Sequence, residues 1–372
     1  MNKTQTVTPA TSTSGAVTAV IVVYTVSRLA LLLAADAISS LHTNLPIPRV
    51  LAPWDGTYYI GILKSGYPIH VNPASVNSEP IAFFPFYPLL GKAITVILST
   101  HASITLEVVA MIAGGIASVF ATLIAREYSD PTTARRAGIL FALFPGSVIS
   151  VMAYADSLAV MFSVAAIFFL MRKRYIVAGI AAGLATATLS LMLLPLLLFI
   201  LIYGIRNKSF KSLITLVLTG SGGGAYLLYL WISTGSLFTW SRVEADHWMV
   251  RLSWPWEFPT AFSAYAFTFQ GSYVLTVASI VVTALGLYAL WRMRAPIEWF
   301  IFSIAIIFAI TFDGGAWIAP RFLYDTPPMI IALSMWGARK NIIFFPLCFI
   351  SFCCLLGLLF AYSPGNMVFL NP

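Results

Sequence analysis

Charge is what this sequence has least of. Only 9% of its residues are Asp, Glu, Lys or Arg, against about 25% in a soluble domain. With 59% hydrophobic residues and a mean hydropathy of +0.89, the chain belongs in a bilayer rather than in water. Cysteine is nearly missing too. Cys348, Cys353 and Cys354 crowd into one apolar run, which gives neither a disulfide framework nor a metal cage. The four histidines, His42, His70, His101 and His247, include no pair at helical metal spacing, so no metal site is expected. A Gly-x4-Gly-Lys phosphate loop and a Gly-x-Ser-x-Gly nucleophile elbow are both absent. The glycine run Gly220–Gly224 sits inside an apolar stretch and reads as close helix packing. Without a nucleotide fold, a donor dissolved in the membrane fits better than a nucleotide sugar. No internal repeat is visible, so the inverted-repeat signature of many transporters is missing. No separate soluble domain or linker interrupts the chain.

What the chain does have is long apolar runs separated by small basic clusters. These are Arg126 with Arg135 and Arg136, Arg172-Lys173-Arg174, Arg206 with Lys208 and Lys211, Arg292 with Arg294, and Arg339-Lys340. Together with Lys3 they hold 14 of the 21 basic residues. The formal charge of +8 is then explained by the positive-inside rule, and nucleic acid is not an expected partner. Placing every cluster in the cytoplasm gives an all-α, polytopic architecture of about eleven transmembrane helices. Those spans are 16–38, 105–125, 137–152, 156–171, 176–188, 191–203, 213–232, 273–291, 297–312, 322–336 and 342–362. Residues 1–15 read as a short flexible cytoplasmic tail, since no signal-peptide pattern fits, and 16–372 as a single transmembrane domain. The larger outer segments are the first loop, 39–103, and a later loop, 233–272. Pro195 is expected to kink its span.

Ile81–Leu98 is apolar enough to cross, but a crossing there would reverse the side of every later basic cluster. It is therefore expected to be a juxtamembrane helix on the outer face, in keeping with Pro85, Pro88, its aromatics and Lys92.

The scarce acids pool on that outer face. Asp36, Asp55, Glu79, Asp156, Glu244, Asp246, Glu257, Asp313 and Asp325, nine of thirteen, lie in or beside its segments. Acids do little to orient a membrane protein, so the pooling points to a site. Asp55 stands in Pro53-Trp54-Asp55-Gly56-Thr57-Tyr58-Tyr59, between aromatic residues at the membrane surface. A carboxylate there suits a general base that deprotonates a hydroxyl as it attacks an anomeric carbon. The plainer reading is an interfacial aromatic belt around a turn. Cations for a phosphate leaving group are available on the same face in Arg49, Lys64, Arg242, Arg251 and Arg321. Asp156, preceded by Tyr154, is either a helix cap or a polar contact of the site. The stretch His247-Trp248 to Arg251 is either a sugar-binding surface or an amphipathic headgroup anchor. Arg321 has Asp325 at i+4 as an expected partner, and Arg28, inside the first span, has Asp36 on its face.

At these residues the sequence resembles the PIG-V-type mannosyltransferases of the GT-C class of glycosyltransferases. Trp54-Asp55, Tyr58-Tyr59-Ile60 and Gly66-Tyr67 resemble that family's Trp-Asp motif. Phe83-Phe84-Pro85-Phe86-Tyr87-Pro88-Leu89 resembles its Phe-Phe-Pro-x-Tyr-Pro-Leu. Phe144-Pro145 with Tyr154-Ala155-Asp156-Ser157-Leu158 resembles its Pro…Tyr-Ser/Thr-Glu-Ser-Leu, and His247-Trp248 with Arg251 its Gln/His-Trp-x-x-Arg. The order holds over about residues 16–330. The resemblance implies a GT-C-like bundle with juxtamembrane helices in the first outer loop. It also implies a polyprenyl-phosphate-mannose donor, an inverting reaction and Asp55 as the catalytic base. The expected acceptor is a hydroxyl of a glycolipid or glycan on the outer face. No cofactor is expected beyond the lipid-phosphate-sugar substrate, and no metal. Trp54, Tyr58, Tyr59, Lys64, Tyr154, Asp156, His247, Trp248, Arg251 and Arg321 are the expected substrate-binding residues. Tyr58 stands where many members have His, and Ala187-Thr188-Leu189-Ser190 lacks an Arg often found there. Both departures bear on how the donor phosphate is held. Two other readings suit the composition: a transporter or flippase of lipid-linked sugars, and a non-catalytic partner subunit of a membrane glycosyltransferase complex.

Overall fold

Backbone polar groups inside a bilayer must be satisfied within the chain, and helices do this locally. A computed structural model of the protein describes residues 13–43, 45–68, 75–248, 270–311 and 320–364, and among them it has no strand. The helices are α1 (Thr13–Ile38), α2 (Ile47–Val50), α3 (Asp55–Ser65), α4 (Phe86–Leu98), α5 (Ala102–Tyr128) and α6 (Pro131–Ala142). They continue with α7 (Asp156–Met171), α8 (Tyr175–Thr188), α9 (Leu193–Arg206), α10 (Ser212–Thr234) and α11 (Thr239–His247). The last are α12 (Gln270–Arg292), α13 (Ile297–Thr311), α14 (Pro320–Tyr324), α15 (Pro327–Gly337) and α16 (Asn341–Tyr362).

Among the described residues, four helices are long and apolar enough to cross a membrane: α1 continuing to Leu41, α5, α10 and α16. A fifth crossing arises if α6 and the 3-10 turn Pro145–Val151 form one span bent by 63°. Six more apolar helices, such as α7 and α8, are shorter. At 16 and 14 residues these two rise about 24 and 21 Å, short of a hydrocarbon core of about 30 Å. Ile81–Leu98 is not one helix. Val76–Ala82 is a 3-10 turn, the chain straightens at Phe83, and α4 follows with 13 residues, about 20 Å long. Pro195 introduces no interior kink. It falls in the first turn of α9, where the backbone N–H it lacks has no intrahelical acceptor.

Small residues let the helices meet closely, since van der Waals packing and not water drives their association. On α5, Ala110, Ala113, Gly114, Ala117, Ser118, Ala121, Thr122 and Ala125 recur at helical spacing and are all buried. The glycine run does what its composition suggests. A Cβ at Gly222 would lie 1.8 Å from the carbonyl oxygen of Gly183, so α8 and α10 touch backbone to backbone. Thr186 locks the contact, donating to the carbonyl of Thr219 at 2.7 Å and accepting from the N–H of Gly223 at 3.1 Å. Gly222→Leu is expected to force the pair apart, at more than the ~1–3 kcal/mol usual for overpacking. The expected readout is a lowered melting temperature and loss of a monodisperse peak in detergent.

Arg28 does not pair with Asp36, which is exposed. It is 1% exposed and turns inward over the Tyr24 ring. Its guanidinium donates to Ser150 Oγ (2.7 Å), Ser147 Oγ (2.7 Å) and the carbonyl of Ala142 (2.8 Å). The break after α6 leaves that carbonyl without a helical partner, and the buried cation supplies one.

The basic clusters gather at one end of the bundle. The start of α1 meets the end of α5 through Thr13 and Arg126, and Arg172 at the end of α7 pairs with Glu127. The Tyr128 ring meets Trp299 at the start of α13, where Glu298 pairs with Arg206 of α9 at 2.6 Å. The three turns that follow α7, α9 and α12 place Lys173, Lys208 and Arg294 at positive φ, cations against helix C-termini.

Candidate active site

Three chain segments converge at the opposite end of α7. The first is the entry to α3. The carbonyl of Leu51 accepts from the N–H of Ala153 at 2.9 Å, which ties the first loop to the segment preceding α7. A Cβ at Gly56 would lie 3.1 Å from Ala52 Cβ and 3.5 Å from the carbonyl oxygen of Ala153, so the first turn of α3 rests on that segment. The third segment is the start of α14. A Cβ at Gly146 would lie 2.1 Å from the Pro320 carbonyl oxygen, and only glycine allows that approach.

Asp55 opens α3 immediately after Trp54, which holds φ 50 and ψ −113, a conformation few L-residues adopt. Strain of this kind persists where surrounding structure enforces it, often at functional sites. Arg321, from α14, meets Asp55 at 2.8 Å between Nη1 and Oδ2, each side chain 18% exposed. The guanidinium lies over the Phe322 ring at 4.5 Å and near Tyr154 at 5.1 Å. Behind it are two buried carboxyls, Asp156 at 4% and Asp325 at 0% exposure. Each feels the charge of the other and of Arg321, and neither oxygen of Asp325 has a hydrogen-bond partner among the described residues. Arg321 takes Asp55 as its close partner instead of the residue at i+4.

A second cluster adjoins the first along α3. Tyr58, one turn from Asp55, donates to Glu79 Oε2 at 2.5 Å. Burial, then that bond and the charges of Glu79 and Asp55, push the Tyr58 phenol up to about 12. At neutral pH it is therefore an O–H donor and carries no charge. His247, ending α11, places Nδ1 3.9 Å from Glu79 Oε1. Trp248 stands edge-on to Tyr58 and Phe83 at 5.1 and 5.3 Å. The Phe83 motif is held by its backbone: the carbonyls of Ile81, Ala82 and Phe83 accept from Tyr226, Trp240 and Tyr67. Two indole N–H groups, of Trp54 and Trp248, are buried with no partner among the described residues.

The structure thus brings together Trp54, Asp55, Tyr58, Tyr154, Asp156, His247, Trp248 and Arg321. Tyr59 is 3% exposed and edge-on to Phe83 and Tyr87, so it supports α3 from behind. Lys64 is exposed in the last turn of α3, about 13 Å of helix rise from Asp55, and no contact joins it to the site. Arg251 lies outside the described residues. Glu79 and Asp325 belong to the constellation but are not among the expected binding residues. Glu79 is signalled in the sequence only as one of the outer-face acids, and Asp325 also by its i+4 spacing from Arg321. Among the described residues no group of three or more His, Cys, Asp or Glu could hold a metal ion.

A family model described as "Mannosyltransferase (PIG-V)" matches residues 33–219. No curated protein matches the sequence significantly. Among solved structures, ArnT from Cupriavidus metallidurans, determined bound to undecaprenyl phosphate, superposes with a TM-score of 0.56 at 14% identity. The match covers 89% of this chain and 62% of ArnT, so the chain spans less than two thirds of that neighbour. Archaeal oligosaccharyltransferase AglB from Archaeoglobus fulgidus, in complex with an inhibitory peptide and a dolichol-phosphate, matches at a TM-score of 0.45 and 15% identity, covering 89% of this chain and 56% of its own. The likeness to ArnT is one of fold: an all-helical, multi-pass membrane architecture.

Proposed function

This chain belongs to the PIG-V mannosyltransferase family, and on that premise we propose that it transfers mannose from polyprenyl-phosphate-mannose to a hydroxyl of a glycolipid or glycan acceptor. The observation that carries the reading is the Asp55–Arg321 pair, a carboxylate and a guanidinium 2.8 Å apart and largely shielded from water. The two groups suit the two ends of one displacement. The acceptor oxygen attacks the anomeric carbon, Asp55 takes its proton, and the bond from that carbon to the phosphate oxygen breaks with its electrons on the oxygen. Arg321 neutralises the phosphate, for which its planar fork is well suited. Attack opposite the leaving group inverts the anomeric centre. We propose no cofactor besides the lipid-phosphate-sugar donor itself.

Orientation follows from the charge map. With the basic end of the bundle in the cytoplasm, the site opens on the extracytoplasmic or lumenal face, and the short helices complete a bundle of about eleven crossings. That such a donor is lipid-borne fits the neighbour ArnT, whose structure holds undecaprenyl phosphate.

The test is reconstitution of the full chain in liposomes with polyprenyl-phosphate-mannose and three acceptor probes: octyl α-mannoside, octyl β-glucoside and phosphatidylinositol. Transfer to at least one probe is expected, with product anomeric configuration opposite to the donor's. Absence of transfer to all three, or lipid movement between leaflets without transfer, would sink the proposal.

A further inference from the structure

The Glu79 cluster has no part in the displacement written above, yet it stands one helical turn from the base. Its features point to a ligand and not to a fold contact. Glu79 has one oxygen committed to Tyr58 at 2.5 Å. The other faces His247 across 3.9 Å, too long for a hydrogen bond, and the side chain keeps 24% exposure. A carboxylate oxygen accepts two bonds, so this one retains capacity toward the space it faces. Trp248 stands beside the tyrosine that holds Glu79, edge-on to Tyr58 and Phe83, and its indole N–H is buried without an acceptor among the described residues. A buried donor with no partner is costly and marks where a polar ligand atom completes the structure. Carboxylate acceptor, indole donor and aromatic walls together match one chemistry, a polyol whose hydroxyls both donate and accept.

Arg321 meets Asp55 from α14, whereas Tyr58, in the next turn of α3, gives its hydroxyl to Glu79. A phosphate on Arg321 leaves the Glu79 side for the second substrate. We infer that Glu79, oriented by Tyr58 and flanked by His247 and Trp248, binds a hydroxyl of the acceptor sugar or polyol and sets which acceptor hydroxyl reaches Asp55. This rests on the proposed transfer reaction and adds a specificity-determining residue to it.

The test uses the full chain in liposomes and whichever of the three probes, octyl α-mannoside, octyl β-glucoside or phosphatidylinositol, the wild type glycosylates fastest. Glu79→Gln still accepts from Tyr58 but turns an amide toward the ligand. It is expected to raise the acceptor KM about 10- to 100-fold, as for loss of a hydrogen bond to a charged group, with the donor KM and melting temperature unchanged. Tyr58→Phe, which frees Glu79 from its orienting bond, is expected to raise the acceptor KM by a smaller factor and serves if Glu79→Gln does not fold. An unchanged acceptor KM, or a parallel rise in the KM of both substrates, overturns the inference and leaves the transfer reaction standing. A wild type inert toward all three probes overturns the reaction itself, and the inference with it.

Discussion

Asp55→Asn is expected to lower mannosyl transfer by about 10²–10⁴-fold, the usual contribution of a positioned general base. The same substitution is expected to tighten binding of polyprenyl phosphate, and the opposite signs give the test its power. Arg321 already holds an anion, Asp55 at 2.8 Å. A phosphate arriving at Arg321 must compete with that carboxylate. Asparagine keeps the shape and removes the charge, so the competitor weakens while the guanidinium stays in place over Phe322 and beside Tyr154. The fold should tolerate the change, since Asp156 still faces the guanidinium and the backbone bond from Ala153 to Leu51 is untouched. Transfer rates, a titration with polyprenyl phosphate and a thermal melt measure the three quantities on one preparation. Retained transfer would remove Asp55 from the role of base. Lost transfer with weakened lipid binding would assign it to holding the donor instead.

The sequence shows Asp55 clearly because its context is local: one carboxylate among aromatics in a chain with little charge. The glycine run and the basic clusters are legible for the same reason, since helix contact and orientation depend on composition over a short window. The partners of the charged residues are not legible. Arg321 and Asp325 are spaced to share a helix face, but α14 ends at Tyr324 because Pro327-Pro328 start a new helix. The residue before a proline is pushed out of the helical region, and Thr326 accordingly takes φ −106 and ψ 58. That break ends the i+4 relation and leaves Arg321 for a residue from the other end of the chain. Arg28 fails the same spacing argument, since a broken helix far along the chain offers it better acceptors than Asp36. Spacing rules hold only while the helix lasts, and a site built where helices break is where they stop applying.

Arg321→Ala should be the most damaging single change to both binding and stability. It removes the cation that faces Asp55 and Asp156 together. Deleting one member of a buried pair leaves the other's charge uncompensated, at about 3–5 kcal/mol, and the 18% exposure of both side chains places this case toward the lower figure. Three carboxyls, Asp55, Asp156 and Asp325, then remain close together without their cation. Ionised carboxyls repel, and acid neutralises them, so the variant's melting temperature should recover on going from neutral pH to about pH 5, a rise the wild type lacks. Arg321→Lys restores a charge but not the fork or the flat stack on Phe322, so it should recover more stability than donor binding. Melts of the three proteins at both pH values, with the donor KM of each, separate the two roles. A variant Arg321→Ala that melts like the wild type at neutral pH would mean that the carboxyls are balanced by something other than this guanidinium. An unchanged donor KM in Arg321→Lys would mean that the phosphate asks only for charge, and not for the geometry that Phe322 and Tyr154 hold in place.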